Sequence, residues 1–100
     1  MKRQRKTLEE FKVVFTKVAR KDLNGLDAEI RLNILQAAKH LKTAPFPRGS
    51  IIKKFKGIKI PLYRLRAGNF RIVYHIDGKN VAVLFIVDRK DLEKKLKALL

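Results

Sequence analysis

The sequence predicts an α+β domain in which helices cover a mainly antiparallel sheet, and three observations lead there. Helical periodicity is confined to an early stretch and to the C-terminal segment, with a run of strand-like segments between them. Gly68 and Asn69 stand between two alternating runs, a two-residue hairpin signal. Residues 81–87 are apolar throughout, as expected of a strand buried on both faces inside a sheet. Strands grouped after helices point to an α+β arrangement.

At 100 residues the chain reads as one domain with a small core. Residues 1–10 are expected to be a disordered basic tail and residues 11–100 the folded unit, with no internal repeat and no linker that would divide it. Twenty-five Lys and Arg face nine Asp and Glu, a net charge of +16. So one-sided a surface repels itself and calls for nucleic acid or a strongly acidic protein as its partner. A thermophile's ion-pair networks would raise Glu along with Lys, and acidic residues are scarce here. The absence of cysteine removes disulfides, thiolate chemistry and cysteine-based zinc sites, and it fits a reducing cytoplasm. No apolar run has the length of a membrane span, and residues 1–6 lead into no apolar signal segment, so a cytoplasmic location is expected. Two distant histidines and scattered carboxylates give no ligand spacing, so neither a metal nor another cofactor is expected.

Taken in order, Phe11, Val13 and Phe15 alternate with Lys12, Val14 and Thr16, which predicts a strand with one buried face. Val18, Ala19, Leu23 and Leu26 then recur at helical spacing, with Asn24 and Gly25 weakening the helix end. Asp27 is placed to cap a second helix, Glu29 suits its first turn, and Ile30, Ile34, Ala37, Ala38 and Leu41 form its buried stripe. Pro45, Pro47 and Gly49 end it. Residues 51–60 read either as a short strand broken at Gly57 or as an extended loop, and Pro61 places the next strand start at Leu62. Asp77 and Gly78 mark a second tight turn before the apolar strand. Asp88 is placed to cap a closing helix, with Asp91 as a capping-box-like partner and Leu92, Leu96 and Leu99 as its apolar stripe.

A turn at Gly68 and Asn69 sets Arg66 opposite Arg71, Arg64 opposite Val73 and Tyr63 opposite Tyr74. One face of the hairpin is then apolar, with Tyr63, Leu65, Phe70, Ile72 and Tyr74. The other carries Arg64, Arg66, Arg71 and His75. Like charges directly opposite each other cost roughly 0.2–1 kcal/mol. A fold has little reason to bear that cost unless an anion normally sits between them, so this face reads as a phosphate or carboxylate site. Helices are expected on the apolar side, leaving the arginine face open.

A helical hairpin, then YRLRxGxFRIVY over residues 63–74, a D-G turn, an apolar strand and a closing R-K-D-hydrophobic segment resembles the RelE/ParE superfamily of bacterial and archaeal toxins. The resemblance runs from about Phe11 to Glu93 and is most specific over residues 63–74 and 88–92. It implies the toxin of a toxin-antitoxin pair, held inactive by an antitoxin that wraps it. Members of the RelE branch cut messenger RNA in the ribosomal decoding site, whereas ParE members poison DNA gyrase without a nuclease centre.

Similarity to the RNA-cleaving branch puts its basic residues on Arg64, Arg66, Arg71 and Arg89. Arg66 and Arg71 are expected at the scissile phosphate, Arg89 close by and Arg64 on the adjacent backbone. Attack of a ribose 2′-hydroxyl on its neighbouring phosphate builds negative charge, and one fixed donor in a water-excluded site can contribute roughly 3 kcal/mol to stabilising it. Where that branch often has a tyrosine, this chain has Glu93. A carboxylate beside several arginines has a lowered pKa and is a poor base. The plainer reading of Glu93 is a helix-surface ion pair with Arg89, four residues earlier. His75 lies on the arginine face and could titrate near neutrality; His40 reads as a cation at a helix C-terminus. Lys53, Lys54 and Lys56 are expected to add salt-dependent contacts to RNA. The expected partners are therefore an acidic antitoxin and the ribosome with its mRNA, and the alternatives are a gyrase inhibitor or an inactive antitoxin-binding relative.

Overall fold

The computed structural model describes residues 10–99, so the expected basic tail, apart from Glu10, lies outside the described residues. The elements run β1 (Lys12–Phe15), α1 (Lys17–Asn24), α2 (Ala28–Lys39), a 3-10 turn (His40–Lys42), β2 (Ile52–Lys54), β3 (Leu62–Ala67), β4 (Phe70–Asp77), β5 (Asn80–Asp88), a second 3-10 turn (Arg89–Asp91) and α3 (Leu92–Leu99). The strands form one sheet in the order β1-β5-β4-β3-β2, antiparallel except where β1 runs alongside β5. This is the α+β class read from the sequence, with the apolar strand β5 in the interior.

The hairpin register follows from its turn. Gly68 has φ 62°, and among the described residues no other residue type has a positive φ, so Asn69 does not and the turn is of the II′ kind. At the second turn Asp77 pairs with Asn80, which makes Gly78 and Lys79 the two loop residues and leaves Asp77 in the strand. The ladder of β4 with β5 slips after Val73, which opposes Phe85, so that Tyr74 opposes Val83 and Leu84 is the extra residue of a bulge.

β1 stops short of β5, and α1 supplies what the shorter strand cannot. The Thr16 N–H donates to Val83 O at 3.0 Å and its hydroxyl donates to Leu84 O at 3.0 Å. Asp22 then accepts from the Ile86 N–H at 3.0 Å. Thr16 also caps α1, accepting from the Ala19 N–H at 3.2 Å, a role the strand reading of that residue did not foresee. Asp27 stands at the start of α2 as expected but its side chain makes no capping bond. Asp88 caps the 3-10 turn that precedes α3, accepting from the Lys90 N–H at 3.0 Å.

Helices α1 and α2 pack on one face of the sheet, where Ala19, Leu23, Ile34, Ala38, Leu65, Ile72, Tyr74, Val81 and Val83 form the main core. Tyr74 stacks on Tyr63 with ring centroids 5.6 Å apart, and its hydroxyl donates to Pro45 O at 2.7 Å. The expectation that the opposite face stays open is corrected by a second core of Leu62, Val73, Phe85 and Leu96, joined by Phe55, Ile58, Leu84, Val87 and Leu92. α3 and the loop before β3 therefore roof half of that face. Alternation along β4 also places Val73 there, an apolar floor that α3 covers. Two expected core positions are instead exposed: Val18 at 51% and Leu99 at 53%.

Candidate functional site

Register brings the cations together. Arg66 lies directly across from Arg71, Arg64 across from Val73, and Lys53 across from Arg64. Directly opposed residues share a face, so Lys53, Arg64, Arg66 and Arg71 lie together on the second face, beside the core that α3 covers. Strand parity could not orient Arg89, because it lies past the end of β5. Its backbone settles its position: the Arg89 N–H donates to Asn69 O in the hairpin turn at 2.8 Å, which ties it to the same tip.

Arg71 is the fixed member of the group. It is only 9% exposed. One terminal nitrogen donates to both Gly68 O and Phe70 O, each at 3.0 Å, so the turn that aligns the hairpin also holds the guanidinium. Burial, and then the positive charges of Arg64, Arg66 and Arg89, lower its pKa, with Asp88 opposing them. Even so it stays protonated at neutral pH, as guanidinium groups do. Four like charges at one hairpin tip create a strongly positive field, and the remaining nitrogens of Arg71 are the donors through which it would meet an anion.

Beside this cluster a pocket of about 390 Å³ is lined by Phe55, Arg89, Leu92, Glu93 and Leu96. Glu93 is thus on the wall that carries Arg89, on the first turn of α3. Phe55 is the wall residue that sequence reasoning passed over. Its signal was there: an aromatic amid lysines in KKFKG, the pattern of a stacking platform in a basic groove.

Other expected site residues lie apart. His75 shares the face of Arg71 but stands four residues along β4, roughly 13 Å away at strand rise. There it pairs with Leu62, its Nδ1 lies 3.1 Å from Pro61 O, and its neighbours are Ile58, Ile60, Leu84 and Leu99. Lys54 opposes Tyr63 and so points with it to the helix-covered side, and Lys56 is exposed on the loop after β2. Of the three lysines only Lys53 joins the arginines.

A family model described as the ParE toxin of type II toxin-antitoxin systems matches residues 13–93. Among solved structures, the RelBE2 toxin-antitoxin complex of Mycobacterium tuberculosis matches with a TM-score of 0.70 at 26% identity, covering 80% of this chain and 99% of that one. The archaeal RelE-RelB complex of Pyrococcus horikoshii matches with a TM-score of 0.68 at 26% identity, over 80% and 96% of the two chains. The RelB-RelE complex of Methanococcus jannaschii matches with a TM-score of 0.63 at 27% identity, over 80% and 94%. A comparison with curated protein sequences finds no significant match.

Proposed function

This chain belongs to the ParE toxin family of type II toxin-antitoxin systems, within the RelE/ParE superfamily, and from its arginine cluster and its likeness to RelE complexes we propose that it is an endoribonuclease that cuts mRNA on the ribosome. The observation that carries the proposal is Arg71, keyed into the hairpin turn with Arg64, Arg66 and Arg89 around it. A polyanion seated there relieves the repulsion between the facing Arg66 and Arg71. In the reaction, the 2′-oxygen attacks the adjacent phosphorus, the nonbridging oxygens gain charge, and the bond to the 5′-oxygen of the next nucleotide breaks, leaving a 2′,3′-cyclic phosphate and a 5′-hydroxyl whose proton comes from water. Arg71 and Arg66 hold the phosphate oxygens, Arg89 adds charge at the leaving side, and Arg64 with Lys53 binds the flanking backbone. Phe55 offers a ring for a base to stack on, in reach of the same pocket wall as Arg89 and Glu93. The roof of α3 over Leu62, Val73 and Phe85 supplies an apolar flank that limits water on one side of the cluster. Although a carboxylate among arginines is a poor base, Glu93 is the one carboxylate lining that pocket among the described residues, and it or water accepts the 2′-hydroxyl proton.

A second reading, inhibition of DNA gyrase, is favoured by the ParE description of the matching family and by Glu93 where the RNA-cleaving branch often has tyrosine. One pair of assays separates the two. Purified chain incubated with translating ribosomes should give discrete cuts by primer extension, and gyrase supercoiling should be unaffected. Blocked supercoiling with intact mRNA would favour the gyrase reading. Binding partners follow the same logic: the acidic antitoxin that the toxin class requires, and the ribosome with mRNA as the target.

A further inference from the structure

The hairpin turn that holds Arg71 has a second side. Its carbonyls serve the cations: Gly68 O accepts from the Arg71 guanidinium and Asn69 O from the Arg89 N–H. Phe70, next to Arg71 in β4, points the other way and packs against the core under α1 and α2. There, where the turn meets α2, lies a pocket of about 440 Å³, lined by Ile30, Asn33, Ile34 and Ala37 of α2 and by Asn69 and Phe70 of the hairpin. Gly68 also borders it, so the arginine cluster and the pocket share one turn between them.

The chemistry of the two sides differs. The chain carries +16, yet no residue lining this pocket is charged. A phosphate would find no cation inside it, whereas an uncharged ring would find a suitable space, since small-ligand sites run to roughly 300–1,000 Å³. Half-buried Phe70 offers a ring for stacking, and Ile30, Ile34 and Ala37 supply an aliphatic wall. Asn33 and Asn69 bring the polar groups, and both are exposed. A carboxamide carries an acceptor and donors side by side, the pattern that pairs with the N6 amino group and N7 of adenine. Guanine shows two acceptors on the same edge and is matched by a cation, which the pocket lacks; a pyrimidine has no N7 to meet the second half of the carboxamide.

We propose that the pocket behind the hairpin turn binds an adenine base of the mRNA, flanking the scissile phosphate, with its rings against Phe70 and its N6 and N7 edge on the Asn33 carboxamide. The proposal rests on the nuclease reading of the previous subsection and adds a base that the site selects. It is separate from the stacking offered by Phe55, which belongs to the core on the opposite face of the sheet. A single-stranded RNA laid over the hairpin tip would put its phosphates on the arginines and one splayed base behind them, the usual way in which single strands are read. Because the pocket borders the turn that anchors Arg71 and Arg89, the same element then receives both base and phosphate.

The test maps, by primer extension, the cuts made on translating ribosomes by the whole chain and by its Asn33→Leu and Asn33→Asp variants. Asn33 is exposed on α2, so neither change disturbs the core. The unaltered chain should show adenine enriched by roughly fivefold or more at one fixed position beside the cut. Asn33→Leu should lose that enrichment. Asn33→Asp can accept from the N6 amino group but cannot donate to N7, and it should admit cytosine, whose N4 amino group donates in the same way. A structural role for Asn33 would lower cutting without exchanging one base for another. Cuts with no base preference, or a preference that survives Asn33→Leu, overturn the pocket and leave the nuclease reading standing. Weaker cutting at every site by Asn33→Leu, with the base pattern kept, would give the pocket to ribosomal RNA and overturn it as well. No cutting by the unaltered chain would remove the nuclease reading and the pocket's substrate with it.

Discussion

The two faces of the sheet are built to opposite ends. The face under α1 and α2 holds the main core, and its buried phenol, Tyr74, stacks on Tyr63 and finds its hydrogen-bond partner in a backbone carbonyl. The other face is divided: α3 roofs its apolar part, and the hairpin tip carries Arg64, an exposed Arg66 and a nearly buried Arg71. Alternation along β3 and β4 feeds both parts of that second face, so a single strand supplies Val73 to a core and Arg71 to a cluster of cations. The division separates stability from function in space. Substitutions under the roof should unfold the chain, whereas substitutions at the tip should disarm it.

That contrast breaks first at Phe85. Phe85→Ala should cost about 3–5 kcal/mol by urea denaturation, because the ring fills the space between Val73 and Leu96. A loss well below 1 kcal/mol would mean that α3 is loosely laid on the sheet. Asp22→Ala comes next. It strips the partner from the Ile86 N–H and should cost roughly 1–3 kcal/mol, with faster exchange at the Ile86 amide.

The covered face can also be probed by alkali. Burial, and then the nearby Tyr63, raise the pKa of Tyr74 well above its usual value. A raised pKa means the folded chain keeps a proton that the unfolded chain gives up, so stability holds below about pH 10 and falls above it by up to about 1.4 kcal/mol per unit. Tyr74→Phe should flatten that decline; an unchanged slope would place its source elsewhere. The smallest effect is expected at the tip. Arg66→Ala removes one of two facing cations and should raise stability by roughly 0.2–1 kcal/mol while weakening RNA cleavage. Such opposite signs from one substitution are hard to obtain from a purely structural residue.

Much of this layout is legible in the sequence, and the omissions have physical causes. The Gly68-Asn69 turn fixes a register, and register alone puts Arg66 against Arg71 and on the face of Arg64. Pro61 likewise marks the start of β3. Parity assigns a face but not a distance along it, which is why His75 reads as a neighbour of the arginines and stands instead among Leu62, Leu84 and Leu99. The stripe of Leu92 and Leu96 foretells that α3 packs on something, without saying which face receives it; the second core is a tertiary choice. Lys54 falls on the far side because the register of β2 with β3 depends on the loop between them, which carries no turn signal as sharp as Gly-Asn. Thr16 reads as strand by alternation and serves as a cap because β1 ends one residue earlier.

On the proposed function, the guanidinium cluster at the hairpin tip, held by Arg71, makes this chain toxic. Growth after induced expression of Arg71→Ala tests it most directly, with thermal melting of the purified variant run in parallel to confirm folding. The variant is expected to melt as a cooperative fold and no longer to arrest growth. Full growth arrest by a folded Arg71→Ala chain would contradict it.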